Sequence, residues 1–208
     1  MSVYENKILP HLLDTLCSHG SVMEQRAKVV PQATGVVLEI GMGSGINLPL
    51  YNADRVDFVW GLEPSKGMRQ KAQANLKMSP VRVQWLDLPS EEIPLDDQSV
   101  DTIVLTYTLC TIPDWQAALQ QMHRVLKLDG RLLFCEHGHS SHTRVAKWQH
   151  RITPIWKKMV GGCHLNRSIA QLIGSSGFEI TTLETCYMKT FPKVTGYMYI
   201  GEARKIAV

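Results

Sequence analysis

Residues 39–45 read EIGMGSG and combine a carboxylate with three closely spaced glycines after an apolar run. Glycine tolerates positive φ and has no Cβ, so a turn at Gly41, Gly43 and Gly45 lets the backbone approach a ligand closely. A dinucleotide site has the pattern GxGxxG, whereas Ile46 here occupies the place of the last glycine. The turn therefore predicts a ligand site that departs from the dinucleotide pattern, which disfavours an NAD-dependent oxidoreductase.

Two carboxylates indicate the chemistry of this ligand. Glu39 lies two positions before the first glycine, where it would repel a pyrophosphate but attract the ammonium and sulfonium of S-adenosylmethionine (SAM). Glu63 ends the second predicted strand, where a carboxylate can accept hydrogen bonds from both ribose hydroxyls. The simpler alternative is that Glu39 and Glu63 are ordinary solvent-facing residues at strand ends. The combination of both carboxylates with the glycine turn favours a SAM site.

The elements that must position these residues alternate between strand and helix. Five strands are predicted from the segments GVVLEI, DFVWGLE, VRVQWL, VDTIVLTYT and LDGRLLFCEH. Helices are predicted over SKGMRQKAQANLK, DWQAALQQMHRVL and residues 168–176, the last one stopped by Gly177. Two further strands, FEITTLETCYM and VTGYMYIGEARK, flank a turn at residues 191–193. The fold class is therefore α/β, a doubly wound Rossmann-like sheet that is mostly parallel and ends in an antiparallel hairpin.

Length and composition predict one domain over residues 1–208, since 44% of the residues are hydrophobic and 20% are charged. Within it, residues 1–34 carry two short helices broken near His19 and Gly20, and residues 138–167 form an inserted cap.

A formal net charge of +3 gives no reason to expect nucleic acid. The five cysteines form no CxxC pair, and no apolar run suggests a signal peptide or a transmembrane segment, so we expect a cytoplasmic protein.

The cap carries an amphipathic segment, VAKWQHRITPIWKKMVGG, which is predicted to be helical on either side of Pro154. Its apolar positions lie three or four residues apart and alternate with basic ones. This apolar face either packs on the core or meets lipid or an apolar substrate, so peripheral membrane contact is one of the two alternatives. In both cases the segment is expected to wall the acceptor pocket.

Five segments resemble, in this order, the class I SAM-dependent methyltransferases: VLEIGMGSGINLPLY, GLEPS, EEIPLDDQSVDTIVLTYTLCTIPD, VLKLDGRLLFCEHG and GGCHLNR. The resemblance covers nearly the whole chain. The EHG and GGCHLNR motifs are most similar to the methyltransferase-like enzymes that S-methylate alkyl thiols and to their bacterial relatives. The resemblance implies a class I methyltransferase fold and a SAM site that comprises Glu39, Gly41, Gly43, Gly45, Asn47, Glu63, Pro64, Ser65, Ser90, Glu91, Thr106 and Tyr107.

One position departs from the family pattern. Many relatives have an aspartate where this chain has Pro89, and Asp87 is two positions out of register. The resemblance therefore does not supply the usual contact with the adenine amino group.

Candidates for the acceptor site follow the fifth strand. A free thiol is only partly ionised at neutral pH, and a nearby imidazole or guanidinium raises the thiolate fraction. Glu136 and His137 lie at the carboxyl edge of the sheet, while His164 and Arg167 follow in GGCHLNR, so these four are the catalytic candidates. A structural histidine bonded to the cap is the alternative for His137.

A zinc site in HGHSSH is a further alternative, because imidazoles are frequent zinc ligands. His137, His139 and His142 have serine neighbours, and no carboxylate or thiol completes a tetrahedral set. We therefore expect no metal. Cys110 and Cys163 are expected to be small buried hydrophobes without a catalytic role.

The first functional hypothesis is an enzyme that methylates a small, largely apolar acceptor, with a thiol as the first candidate. A phospholipid amine or a quinone ring carbon is the second. A SAM-binding regulatory protein without turnover is the alternative outside enzymes.

Overall fold

A seven-stranded sheet forms the centre of the molecule in the computed structural model, which describes residues 17–206. Its strands are β1 (Gly35–Ile40), β2 (Val56–Leu62), β3 (Val83–Leu86), β4 (Val100–Thr106), β5 (Leu126–His137), β6 (Phe178–Tyr187) and β7 (Tyr197–Lys205). Their order is β3-β2-β1-β4-β5-β7-β6. The first five are parallel, and β7 runs antiparallel to both β5 and β6. The predicted fold class is confirmed, including the terminal hairpin.

The helices are α1 (Gly20–Arg26), α2 (Lys66–Lys71), α3 (Gln73–Lys77), α4 (Trp115–Val125), α5 (Thr143–Met159) and α6 (Ile169–Gly174), with 3-10 turns at Val30–Gln32 and Leu48–Leu50. The helix predicted after Pro64 is divided into α2 and α3 at Ala72, and neither piece buries a residue. Of the two predicted N-terminal helices, the second is α1 and the first lies outside the described residues. No helix in the described part of the chain combines the length and the apolar character needed to cross a membrane.

The core lies on both faces of the central strands. Val37 and Leu38 of β1 and Val104 and Leu105 of β4 are consecutive pairs whose side chains point to opposite faces, and none of the four has exposed surface. Such continuous burial is typical of parallel strands covered on both sides. Because β1 and β4 are neighbours while the connections leave them toward opposite edges, their carboxyl ends flank a topological switch point, where open α/β sheets bind ligands.

The cap helix α5 differs from its prediction in two ways. It runs without interruption through Pro154, where the pattern predicted a break. Three of its large apolar side chains also do not pack on the core, since Trp148, Ile155 and Met159 are 56%, 65% and 58% exposed. The packing alternative for these three residues was therefore wrong.

Gln149 explains which face α5 buries. Its side chain donates to the carbonyls of Gly138 (2.9 Å) and Val194 (3.0 Å) and accepts from the amide of Ser140 (2.8 Å). A buried amide that satisfies three backbone groups fixes the rotation of the helix. The inward face is therefore partly polar, and Trp148, Ile155 and Met159 point outward.

Candidate active site

The glycine turn after β1 adopts the conformation that its sequence predicts. Gly41, Gly43 and Gly45 have φ of +63°, +59° and +73°, a region that L side chains rarely occupy. A Cβ on Gly41 would lie 2.5 Å from the Thr108 side chain. The turn therefore depends on glycine for both its conformation and its packing.

Glu63 lies directly after β2 and connects this turn to the next one. One carboxylate oxygen accepts the amide of Gly43 (2.9 Å) and the other accepts the amide of Ser65 (2.8 Å). Its surface is 8% exposed, and burial raises its pKa in spite of these two bonds. Each carboxylate oxygen has a further lone pair, so the group can still accept from a ribose.

Glu39 is buried on β1 beneath the same turn. Its carboxylate accepts hydrogen bonds from Tyr51 Oη (2.7 Å) and Asn47 Nδ2 (2.8 Å). Burial raises the pKa of Glu39 to about 7, while those bonds and the nearby Arg26 oppose the rise. A cationic ligand group would favour the ionised form further.

Arg26 is a residue of this site that the sequence reasoning missed. It is buried at the end of α1, where Nη1 donates to Asn47 Oδ1 (2.9 Å) and Thr106 Oγ1 (2.6 Å). Its guanidinium lies 4.8 Å from the centre of the Tyr107 ring, and its Nε has no hydrogen-bond partner. A buried donor without a partner is costly, so Nε is available to an anionic ligand group. The sequence offered one signal for this residue, because Arg26 interrupts the apolar spacing of a short helix.

The remaining residues predicted for the cofactor follow three strands. Pro64 and Ser65 come after β2, and the Ser65 hydroxyl caps α2 by accepting from Met68 (3.3 Å). Ser90 is buried in the turn after β3, and its hydroxyl contacts Glu91 (3.3 Å). Asp87, which is out of register with the family aspartate, is exposed and forms a bidentate ion pair with Arg69.

Thr106 and Tyr107 end β4 beside these groups. Tyr107 has a φ of +54°, which is uncommon for a residue with a side chain and is typical of functional sites. Its hydroxyl points toward the sulfurs of Met188 and Met198, at 3.8 and 3.7 Å. We call residues 39–47, Glu63 and Arg26 the donor end of the site.

Glu136 and His137 lie at the last two positions of β5, as predicted, but their surroundings differ. One oxygen of Glu136 accepts the amides of Thr108 (2.7 Å) and Leu109 (3.1 Å), so this carboxylate orders the turn after β4. Its other oxygen is buried without a partner. Burial raises the pKa of Glu136 to about 7, against the opposing effect of those amides.

His137 contacts two cysteines that the sequence analysis treated as core. His137 Nε2 lies 3.1 Å from Cys163 Sγ, and Trp156 Nε1 donates to the same sulfur (3.3 Å). Cys110 and Cys163 are buried, and ligand atoms of all three residues lie within 4.8 Å of one another. We call Glu136, His137, Cys110 and Cys163 the acceptor end.

The charges at the acceptor end favour a thiolate. A hydrogen bond from Cys110 and the neighbouring His137 lower the pKa of the Cys163 thiol well below its ordinary value. Burial alone lowers the pKa of His137, but Cys163 reverses this effect and raises it above the ordinary value. The pKa shifts of Cys163 and His137 thus both favour the charged forms of these two groups.

His164 and Arg167 support the acceptor end through the backbone. His164 Nδ1 lies 3.2 Å from the carbonyl of Cys110, which also accepts the His164 amide (2.8 Å). The Arg167 guanidinium donates to the carbonyls of Leu109 and Ile112. The structure thus brings both residues close to the turn after β4, with their polar atoms bonded to its carbonyls.

The histidines of HGHSSH separate in the fold. The His139 ring lies 5.6 Å from the His150 ring, and His142 precedes the first turn of α5. Within residues 17–206, the group of three or more potential metal ligands is Cys110, His137 and Cys163. Only one histidine of the run belongs to it.

Comparison with known proteins places this geometry in a family. A family model described as "Methyltransferase domain" matches residues 38–134. Human thiol S-methyltransferase TMT1B is 30% identical over 155 residues, which is 71% of this chain and 62% of that protein. Phosphatidylethanolamine N-methyltransferase of Cereibacter sphaeroides is 29% identical over 127 residues, 58% of this chain and 61% of that protein. The chain thus spans about three fifths of the length of these two relatives.

A solved structure shows the same fold. The 1,6-didemethyltoxoflavin-N1-methyltransferase of Burkholderia thailandensis, with bound 1,6-didemethyltoxoflavin and S-adenosylhomocysteine, aligns with a TM-score of 0.70 and 14% identity over 96% of this chain and 84% of that chain. The glycine turn, the two buried carboxylates and the partnerless Arg26 Nε suit SAM as the cofactor. Residues 38–134 thus carry a methyltransferase domain, and the fold is that of the class I SAM-dependent methyltransferases.

Proposed function

We propose that this protein transfers the methyl group of SAM to a small, largely apolar thiol. The observation that carries the proposal is the contact of 3.1 Å between His137 and Cys163 at the acceptor end. This contact places an imidazole beside a sulfur at the acceptor end, and the same imidazole would favour the ionised form of an acceptor thiol. The similarity to thiol S-methyltransferase TMT1B supports the same acceptor.

The proposal assigns roles to both ends of the site. Glu39 receives the ammonium of SAM, Glu63 receives its ribose, and Arg26 Nε faces its carboxylate. Bound SAM supplies an electrophilic methyl group on a sulfonium. His137 raises the thiolate fraction of the acceptor, while Glu136 orders the turn after β4.

The proposal also includes a role for the cap and a cellular location for the protein. Residues 138–167 cover the acceptor end and limit the access of water, within one domain that spans residues 1–208. A cytoplasmic location fits the cysteines, because none of the five, which all lie within residues 17–206, forms a disulfide, as expected in a reducing compartment.

A phospholipid amine is the second candidate acceptor, and α5 favours it. Trp148, Ile155 and Met159 are exposed on a helix that also carries Lys147 and Arg151. Exposed apolar residues with basic neighbours are typical of helices that bind anionic membrane surfaces. The similarity to phosphatidylethanolamine N-methyltransferase points the same way.

One assay separates these acceptors. The full chain is incubated with labelled SAM and, in parallel, with short alkyl thiols, phosphatidylethanolamine vesicles and a quinol, and the products are identified by mass spectrometry. We expect a methyl thioether, and no product with a Glu63→Ala control. Methylated lipid or quinol without any thioether would contradict the thiol proposal.

A further inference from the structure

We propose that Cys110, His137 and Cys163 form a zinc site, and that its fourth position takes the acceptor thiol. The metal site stands on its own geometry, whereas the role of the fourth position rests on the proposed function. This inference replaces the expectation of no metal, which considered only the histidines of HGHSSH.

The distances suit a tetrahedral ion. The two sulfurs and the imidazole nitrogen lie within 4.8 Å of one another, and the pair between Cys163 and His137 is 3.1 Å apart. Around zinc, with bonds of about 2.3 Å to sulfur and 2.0 Å to nitrogen, such atoms are about 3.6 to 3.8 Å apart. Side-chain movements of about half an ångström would therefore seat the ion.

Three separate stretches of chain build this group, which argues against a chance contact. Cys110 lies in the turn after β4, His137 ends β5, and Cys163 follows a turn in which Gly161 and Gly162 have φ of +53° and +85°. The His164 amide donates to the Cys110 carbonyl (2.8 Å) and ties the two cysteine segments together.

The surroundings also resemble those of a metal ligand set. Trp156 Nε1 donates to Cys163 Sγ, as the outer neighbours of zinc thiolates do. The unpartnered oxygen of Glu136, on the residue next to His137, can accept a hydrogen bond from a group at the fourth position.

Ligand chemistry selects the ion. Two thiols and an imidazole are soft to intermediate donors that favour zinc over magnesium or calcium. Two cysteines and one histidine leave one zinc position open, as catalytic zinc sites require. A thiol that coordinates there loses its proton to solvent and stays bound as the thiolate. The zinc would thus fix the acceptor sulfur and ionise it.

Metal analysis of the full chain tests the site. The reduced protein is loaded with Zn²⁺, freed of excess metal and measured by plasma mass spectrometry, and Co²⁺ is titrated into chelator-treated protein. We expect one zinc per chain and near-ultraviolet bands from thiolate to cobalt. Cys110→Ser and Cys163→Ser should each weaken binding by about tenfold or more, while Cys186→Ser, a cysteine on β6 outside the group, should bind normally.

Several results would overturn the site. Folded protein, checked by circular dichroism, that takes up no metal or shows no thiolate bands would contradict it. Equal binding by all three serine variants would also contradict it, as would a disulfide between Cys110 and Cys163 in the protein as isolated. If a serine variant does not fold, the intensity of the cobalt bands of the unaltered protein still reports whether two thiolates coordinate.

The role of the fourth position has its own readout. Adding a short alkyl thiol to the cobalt protein without SAM should increase the thiolate band, because a third sulfur coordinates. Zinc binding without thiol methylation would refute the proposed function alone. Full thiol methylation by metal-free protein would refute the zinc role alone.

Discussion

The donor end and the acceptor end take their residues from different parts of the chain. Most of the donor end comes from residues 39–63, where a glycine turn follows one strand and Glu63 follows the next. The acceptor end joins residues 110, 137 and 163, which lie in the turn after β4, at the end of β5 and in the loop after α5. The donor end therefore follows from local backbone conformation, whereas the acceptor end requires the completed fold.

The buried carboxylates of the two ends also differ. Glu39 and Glu136 both have a pKa near 7 because both are fully buried. Glu39 is bonded through both oxygens by side chains, whereas Glu136 is bonded through one oxygen by backbone amides and its other oxygen has no partner. The side chains that bond Glu39 can change partners when a ligand binds, whereas the amides that bond Glu136 fix the turn after β4. We therefore expect ligand binding to be most sensitive at the donor end and turnover at the acceptor end.

Removal of Glu63 should produce the largest effect. Glu63→Ala loses the two charge-assisted bonds that its carboxylate would accept from the ribose hydroxyls, together about 4 kcal/mol, so SAM should bind about 1000-fold more weakly by calorimetry. Glu92→Ala, which removes an exposed carboxylate nearby, is the control. A folded Glu63→Ala protein with unchanged SAM affinity would contradict the donor end.

His137→Ala should show the opposite pattern. The donor end does not include His137, so SAM affinity should change by less than about twofold, while kcat for a thiol should fall about 100-fold. His139→Ala is the matched control, because that ring faces His150 and not the cysteines. Unchanged turnover would return His137 to a structural role.

The sequence predicted the donor end better than the acceptor end for a physical reason. Positive φ at Gly41 to Gly45 and a carboxylate after β2 are local properties, which residue types reveal. The proximity of Cys110 to Cys163 depends on how residues 138–167 fold back, and no periodicity encodes it. The mostly parallel sheet followed from alternating elements, but the rotation of α5 did not, because Gln149 binds backbone groups that the pattern cannot show.

Arg26 is the residue that local patterns missed at the donor end, and it gives the next prediction. Arg26→Met removes the cation that stabilises ionised Glu39 and the donor to Asn47, so SAM should bind about 30-fold more weakly at pH 7, about 2 kcal/mol. The defect should shrink at pH 9, where Glu39 ionises without help. Arg55→Met, at an exposed arginine, should bind normally. An equal defect at both pH values would mean that Arg26 acts through contacts alone.

The smallest expected effect is the pH dependence set by Glu39. Burial raises its pKa from 4.5 to about 7, so the folded protein without ligand holds this proton more tightly than the unfolded chain. Its contribution to stability is full below about pH 4.5 and is lost as the pH rises through 7. SAM binding has the reverse sign, because the ammonium requires the carboxylate, and affinity should rise about tenfold between pH 6 and pH 8.

Glu39→Gln tests whether this pH dependence of SAM affinity, the slope of affinity against pH, arises from the donor end. The amide keeps the size of the side chain but does not titrate, so the pH dependence of SAM affinity should flatten while the affinity at pH 8 falls. Glu136 titrates in the same range, and Glu136→Gln should leave the slope of SAM binding in place. Calorimetry at pH 6, 7 and 8 on both variants measures this. If the slope disappears in Glu136→Gln and persists in Glu39→Gln, the two buried carboxylates have exchanged roles, because the proton coupled to SAM binding would then reside at the acceptor end.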